Sequence, residues 1–247
     1  MGSTAWFKFA SPAAFYPLAG RLIPWFAWAA GLLTLIGLYL GFIVAPTDYQ
    51  QGESYRIIFI HVPAAWMAMF LYLVMAGWCA ASLIWNTRLS AMMAQALAPT
   101  GAMFSVVALW TGALWGRPTW GAYWVWDARL TSTLILLFLY LGFMALRAAI
   151  DDPRRADRAS ALLALVGAIN VPIIYFSVRW WNTLHQGASV SLTSSPKMAQ
   201  TMLAAMLVMS FAAWFYAIAV ALHRVRSIIL EREKGSEWLR RQLAGTN

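Results

Sequence analysis

The chain of 247 residues is 62% hydrophobic and only 11% charged, with a formal net charge of +9. A soluble domain is roughly half apolar and about a quarter charged, and it needs polar side chains to cover its surface, so this composition excludes a soluble globular protein. Disorder is also excluded, because it requires low hydrophobicity. The composition predicts an integral membrane protein, in which the location of the charges matters more than their sum.

Six apolar runs, nearly free of charge, are long enough to cross a bilayer, which takes about 20 residues of helix. The fourth run continues past Arg147, whose charged group we expect to snorkel toward the interface. The sequence therefore predicts an all-α membrane protein, a single six-helix domain over 1–247 with a tail at 223–247. The predicted transmembrane helices cover about 23–45, 62–85, 94–115, 130–149, 160–178 and 200–222.

The distribution of Lys and Arg predicts the orientation. With both termini placed in the cytoplasm, 13 of the 18 Lys and Arg residues fall in cytoplasmic segments and five fall outside. Such a bias is the positive-inside pattern of inner-membrane proteins. The net charge of +9 is thus explained without a nucleic-acid partner, and we expect the protein to contact membrane lipids.

Two kinds of chemistry are excluded by what the chain lacks. Cys79 is its single cysteine, so it has neither an intramolecular disulfide nor a Cys-based zinc site nor a CxxCH haem attachment sequence. The predicted cytoplasmic loops contain no glycine-rich phosphate cradle, so we expect no ATPase activity in this chain.

The tryptophans are concentrated on the predicted outer side. Seven of the 15 lie in two outer segments, five of them between positions 110 and 126 and the others at 180 and 181. An aromatic belt would mark both interfaces instead. Trp120, Tyr123, Trp124 and Asp127 follow a helical spacing, which predicts a short amphipathic helix along the membrane surface. Such an aromatic shelf suits a large, flat, apolar ligand.

The polar residues beside this shelf have two interpretations each. Asp127 precedes the fourth span and suits either a helix cap or a ligand contact. Arg129 suits either a lipid headgroup or a ligand carboxylate. His61 and His185 both lie near the outer interface, where they are either structural or a pair of haem iron ligands from two parts of the fold.

Residues 115–131 read WGRPTWGAYWVWDARLT, which closely resembles the tryptophan-rich "WWD" motif of a family of haem-handling membrane proteins. Within that family the six predicted spans, the chain length and the two flanking histidines resemble the haem exporter protein C (CcmC) family of cytochrome c maturation system I. The resemblance covers almost the whole chain, and the tail after 223 is its least characteristic part.

The resemblance implies that the chain binds haem b transiently and without a covalent bond at the periplasmic face of the bacterial inner membrane. It implies His61 and His185 as the axial ligands of the haem iron. It further implies delivery of haem to the chaperone CcmE, where the haem becomes covalently attached, beside the small subunit CcmD and the CcmA–CcmB ABC transporter. The segment that matches the motif supplies the implied haem platform: Trp115, Trp120, Gly121, Tyr123, Trp124, Trp126, Asp127 and Arg129.

The physical properties of haem agree with this implied role. Aromatic side chains cover the faces of the ring, and arginines pair with its propionates. We expect propionate or chaperone contacts from Arg56, Arg117, Arg129 and Arg179, of which Arg129 is the best single candidate. A membrane b-type cytochrome and a small-solute transporter are the alternative functions; against them stand the small number of histidines and the clean apolar spans.

Overall fold

The computed structural model describes residues 9–185, 190 and 198–244. Six helical segments in these residues are long and apolar enough to cross a membrane, which confirms the predicted all-α, six-span architecture. The remaining residues, including both ends of the predicted domain and the end of the predicted tail, lie outside the described part. The α-helices are α1 (Pro12–Tyr39), α2 (Ile58–Trp85), α3 (Arg88–Trp120), α4 (Ala128–Ala149), α5 (Pro153–Gly167), α6 (Asn170–Trp180), α7 (Gln200–Arg232) and α8 (Glu237–Ala244).

Most helices extend further than the apolar runs that predicted them. A π-helical turn, Leu40–Val44, continues α1, and a 3₁₀ turn, Glu53–Ile57, leads into α2. The first helix begins well before the predicted position 23, because Ser11 accepts a hydrogen bond from the Ala14 amide and Pro12 occupies the first turn. An uncharged run measures the part of a helix inside the bilayer, whereas the caps determine where the helix ends.

The fifth predicted span, 160–178, is two helices rather than one. Pro172 has no amide hydrogen to donate to the carbonyl of residue 168, so the regular bonding is lost there. The Val171 amide instead bonds the Ala168 carbonyl at 3.2 Å in a tighter turn. Asn170 Nδ2 donates to the Ser132 carbonyl at 2.9 Å, which ties the break between α5 and α6 to α4.

The helices run back and forth, so the bundle has two ends. The site end contains the beginnings of α2, α4 and α7 and the ends of α3 and α6; the opposite end contains the ends of α2, α4 and α7 and the beginnings of α3 and α5. The α1 helix packs mainly on α7, and α2 packs mainly on α3. The main core, between α2, α3 and α4, is built around Tyr72, Leu136 and Tyr140, which are fully buried.

A buried ion-pair network lies at the opposite end, and it overturns the expectation that Arg147 snorkels. The side chain of Arg147 is only 8% exposed and bonds Asp157 at 2.6 Å. Asp157 also accepts from Arg232 of α7, at 2.9 and 3.0 Å. Gln95 Oε1 accepts a further bond from Arg147 at 2.8 Å. The guanidinium remains at its depth because a carboxylate and an amide of neighbouring helices bond its two terminal nitrogens there.

The segment after residue 223 continues the bundle at this end. The α7 helix extends to Arg232, and α8 follows after a short turn. Trp238 of α8 packs near Tyr16 of α1, with ring centres 6.4 Å apart, and its Nε1 donates to Glu233 at 3.3 Å. Glu233 is also 2.7 Å from Arg88 of α3. These contacts attach the described part of the tail to α1 and α3.

Candidate functional site

The two histidines singled out by the sequence are neighbours at the site end. His61 is buried in the first turn of α2, and His185 follows α6 in an irregular segment. The centres of their imidazole rings are 6.3 Å apart, and the ring planes are inclined by 36°. The fold thus brings together two imidazoles that are 124 positions apart in the chain.

A cavity of about 390 Å³ opens between these histidines and α2, α3, α4 and α6. Its volume lies within the range of roughly 300–1,000 Å³ that small-molecule sites occupy. Apolar side chains such as Met69 and Leu136 line its deeper part, and Trp115, Trp120 and Arg129 line it near the histidines. The cavity combines an apolar interior with a few converging polar groups.

Two tryptophans of the motif contact the histidines directly. The ring of Trp115 meets that of His61 edge to face, with the ring centres 5.6 Å apart. Trp115 Nε1 donates to Gln51 Oε1 at 2.7 Å, which fixes the indole in its orientation. The ring of Trp120 lies 6.2 Å from that of His185. One indole therefore accompanies each imidazole.

The predicted amphipathic helix over 120–127 does not form, and that part of the predicted fold is wrong. The α3 helix continues through Trp120 and ends at Gly121, whose φ of +79° is the left-handed conformation that terminates helices. Residues 121–127 are irregular. Gly116 permits this sharp exit, because a Cβ there would lie only 3.0 Å from both the Ala122 carbonyl oxygen and the Trp120 ring. The aromatic residues are spaced as on one face of a helix, but residues 121–127 do not form one.

Because the chain turns at Gly121, the predicted platform divides into two surfaces. Trp124 and Trp126 pack against each other at 5.3 Å and, with Trp110, line a shallow apolar groove between α3 and α4 outside the cavity. Trp126 is 77% exposed. Tyr123 is also exposed, with the Arg117 guanidinium 5.7 Å above its ring. Only Trp115 and Trp120 of the motif's aromatic residues line the histidine cavity.

Asp127 caps the beginning of α4 with only one of its two carboxylate oxygens. Its Oδ1 accepts from the Leu130 amide at 2.8 Å. Its Oδ2 and Trp124 Nε1 are buried and have no hydrogen-bond partner among the described residues. The cap that the sequence suggests thus leaves one carboxylate oxygen available for a ligand or a partner.

Of the four candidate arginines, only Arg129 lines the cavity. Its Nη1 donates to the Ile174 carbonyl at 2.6 Å, which joins the beginning of α4 to α6. A guanidinium has five N–H donors, so this bond leaves capacity for a carboxylate. The half-buried position beside the two imidazoles makes Arg129 the cation best placed to meet an anionic ligand there.

The other three arginines have local partners. Arg56 forms an ion pair with Glu53 and donates to the carbonyls of Gly41 and Ala45 at 2.6 and 3.0 Å. Arg117 donates to the Gly121 carbonyl, and Arg179 lies 6.0 Å above the Phe176 ring. The contacts of Arg56 lie at the π-helical turn, those of Arg117 at the end of α3, and that of Arg179 at the end of α6.

Three site residues escaped sequence reasoning: Gln51, Thr111 and Gly112. Thr111 Oγ1 lies 3.0 Å from His61 Nδ1, and a Cβ on Gly112 would lie 3.0 Å from His61 Cε1. Both belong to α3, some 50 positions away from the histidine. Their only signal in the sequence is that they occupy the helical turn before Trp115.

Known proteins resemble this chain along most of its length. Residues 5–240 match the family described as "CcmC: Heme exporter protein C". The chain belongs to the haem exporter protein C (CcmC) family. It is 51% identical over 223 residues to the haem exporter protein C of Bradyrhizobium diazoefficiens, covering 90% of this chain and 84% of that protein. The corresponding Escherichia coli K12 protein is 44% identical over 233 residues, 94% of either chain.

A plant relative matches a shorter stretch. The putative cytochrome c biosynthesis ccmC-like mitochondrial protein of Marchantia polymorpha is 50% identical over 166 residues, covering 67% of this chain and 69% of that protein. Membership of the CcmC family gives the chain a role in haem handling for cytochrome c maturation, as a multi-pass membrane component of a haem export system. The family name describes a transport or delivery component rather than a catalytic enzyme.

Proposed function

We propose that this CcmC-family protein binds haem b non-covalently between His61 and His185 and delivers it to the periplasmic chaperone CcmE. The observation that carries the proposal is the pair of neighbouring imidazoles that line one cavity. Two metal–nitrogen bonds of about 2 Å, with about 1 Å from each nitrogen to its ring centre, place the two ring centres roughly 6 Å apart across one metal ion. The 6.3 Å between the two ring centres is close to the separation that the two imidazoles would have if both bound one iron atom.

The chemistry around the imidazoles fits the remainder of the ligand. Trp115 and Trp120 supply aromatic surface for the faces and edges of the porphyrin. Arg129 supplies a guanidinium that pairs with a propionate. The apolar lining excludes water from the ring while it is held. Delivery requires no covalent bond between this chain and the porphyrin: its residues bind, orient and shield the haem, and the covalent attachment is made to the chaperone.

The test is to purify the protein from cells that supply haem, with and without CcmE. We expect a six-coordinate haem spectrum without CcmE, and a covalent haem–chaperone adduct when CcmE is present. Wild-type protein that never binds haem would overturn the proposal. Haem that titrates reversibly but never reaches CcmE would favour the b-type cytochrome instead.

Arg129→Ala should weaken haem retention about 10- to 100-fold while leaving the iron six-coordinate, because one charge-assisted contact to a carboxylate contributes about 1.5–3 kcal/mol. Retention is measured as the rate of haem transfer to apomyoglobin. Arg179→Ala is the matched control, since Arg179 contacts Phe176 and does not line the cavity. Equal rates for wild type and Arg129→Ala would remove Arg129 from the propionate site.

We also propose that both termini are cytoplasmic and that the site end faces the periplasm, where the chaperone works. In this arrangement CcmD and CcmA–CcmB are the membrane partners and CcmA–CcmB supplies the ATPase. The support is the distribution of 13 against 5 Lys and Arg residues.

Single cysteines placed in a Cys79→Ser chain test this orientation. Tyr49→Cys, at the site end, should react with an impermeant thiol reagent added to the periplasmic side of intact inner membranes. Asp151→Cys, at the opposite end, should react only after the membrane is opened. Both native side chains are exposed, so access is decided by the membrane. The reverse labelling pattern would invert the proposed topology.

A further inference from the structure

We infer that Thr111 is a positioning residue for the haem ligand His61: its hydroxyl holds the imidazole in the tautomer that leaves Nε2 free to bind iron. This inference rests on the proposed function, because it assigns a role to Thr111 only if His61 is an iron ligand. Thr111 belongs to α3, whereas His61 belongs to α2. The contact therefore depends on the packing of these two helices.

The direction of the hydrogen bond follows from the number of protons available. A threonine hydroxyl carries one proton. Thr111 Oγ1 lies 2.6 Å from the Val107 carbonyl oxygen, a separation that two oxygens adopt only with a proton between them. The hydroxyl proton is therefore used within α3. Toward His61 Nδ1, at 3.0 Å, the hydroxyl has only a lone pair to offer, so it accepts and Nδ1 donates.

A neutral imidazole carries one proton, on either Nδ1 or Nε2. With the proton held on Nδ1 by Thr111, the lone pair is on Nε2, as a metal ligand requires. Without the hydroxyl, Nδ1–H would lose this acceptor, and the competing tautomer, which cannot bind iron through Nε2, would become more populated. Ligating histidines are commonly held through their second nitrogen in this way.

The same helical turn also fixes the plane of the ring. Gly112 leaves space for the imidazole edge, since a Cβ there would lie 3.0 Å from Cε1 and 3.5 Å from Nδ1. Trp115, one turn after Thr111, meets the ring edge to face and is itself held by Gln51. Three residues of α3 thus position the His61 ring together. Thr111 accepts its hydrogen bond, Gly112 leaves room for the ring edge, and Trp115 packs against the ring.

The experiment compares Thr111→Val, which has nearly the same shape but no hydroxyl, with Thr111→Ser, which retains it. Thr34→Val is the matched control, because Thr34 also bonds the carbonyl four residues earlier, at 2.8 Å, but lies on α1 away from the histidines. Folding is checked by gel filtration and circular dichroism of each full-length variant. If Thr111→Val does not fold, Thr111→Ala takes its place.

We expect Thr111→Val to bind haem about 10- to 100-fold more weakly than wild type, the range seen when an outer partner of a ligating histidine is lost. The midpoint potential of the haem should also rise, because an imidazole whose N–H is hydrogen-bonded is a stronger donor to ferric iron. Thr111→Ser and Thr34→Val should match wild type in both measurements.

Two results separate failure of this inference from failure of the proposed function. If His61→Ala loses haem but Thr111→Val keeps wild-type affinity and potential, Thr111 has no positioning role and the inference is overturned. If His61→Ala itself binds haem as wild type does, the ligand assignment fails, and the inference fails with it. A loss of affinity in Thr34→Val equal to that in Thr111→Val would show a general effect on the bundle, and this too would overturn the inference.

Discussion

Replacing either His61 or His185 by alanine is expected to abolish the six-coordinate haem spectrum of the purified protein. Each variant keeps one imidazole, so any haem that remains should be five-coordinate or hold a water molecule or an added ligand. The loss of haem content should exceed the roughly 10- to 100-fold effect of losing an outer-shell partner, because a direct iron bond is removed. Absorption spectra and haem content per protein measure both effects.

His223→Ala is the control for this pair, since His223 is an exposed residue near the opposite end of α7. It should leave the spectrum unchanged. External imidazole should restore six-coordination to His61→Ala and His185→Ala by filling the place of the missing ring. A His185→Ala protein with an unaltered spectrum would show that the second axial ligand is another group, and the neighbouring imidazoles would then be structural.

Asp157→Ala should cause the largest loss of stability at the opposite end of the bundle. Asp157 accepts hydrogen bonds from both Arg147 and Arg232, and the side chains of Arg147 and Asp157 are 8% and 15% exposed. Removing the carboxylate leaves a buried guanidinium without its counter-charge. Breaking one side of a buried pair lowers the free energy of unfolding by about 3–5 kcal/mol. Reversible unfolding in mixed micelles measures the change.

The exposed ion pair between Glu237 and Arg241 provides the comparison. Their side chains are 70% and 77% exposed, so Glu237→Ala should change the free energy of unfolding by no more than about 1 kcal/mol. Adding Arg147→Met to Asp157→Ala should recover part of the loss, because the uncompensated charge is removed. If Asp157→Ala is no more harmful than Glu237→Ala, the network is not a source of stability. Haem binding, at the other end, should be retained in all these variants.

The number of spans was predictable because each apolar run is an independent signal, set by the thickness of the bilayer. Helix ends were less predictable. Ser11 and Gly121 set two of them through a cap and a left-handed residue, and neither lies within an apolar run. Pro172 was visible in the sequence, but whether a proline bends a helix or divides it depends on partners. Here Asn170 bonds the Ser132 carbonyl and fixes the break.

In the site, too, features set by neighbouring residues were predictable and features set by contacts between distant helices were not. His61, His185 and the tryptophan-rich segment stood out by composition and position, and the fold places His61 beside Trp115 and His185 beside Trp120. The split of the motif at Gly121 was not predictable from aromatic spacing alone. Thr111 and Gly112 were hidden for a different reason: their importance lies in a contact between two helices, and one sequence carries no record of which residues meet.

The two imidazoles are held by different kinds of structure, so the two sides of the proposed haem site are not equivalent. His61 belongs to a helical turn and is seated on α3 by Thr111 and Trp115, whereas His185 lies in an irregular segment after α6. A ligand that replaced His61 would have to disturb the packing of α2 on α3, whereas His185 lies outside these two helices. If both imidazoles hold the haem as proposed, we therefore expect an incoming ligand to replace His185 first, while His61 still holds the haem.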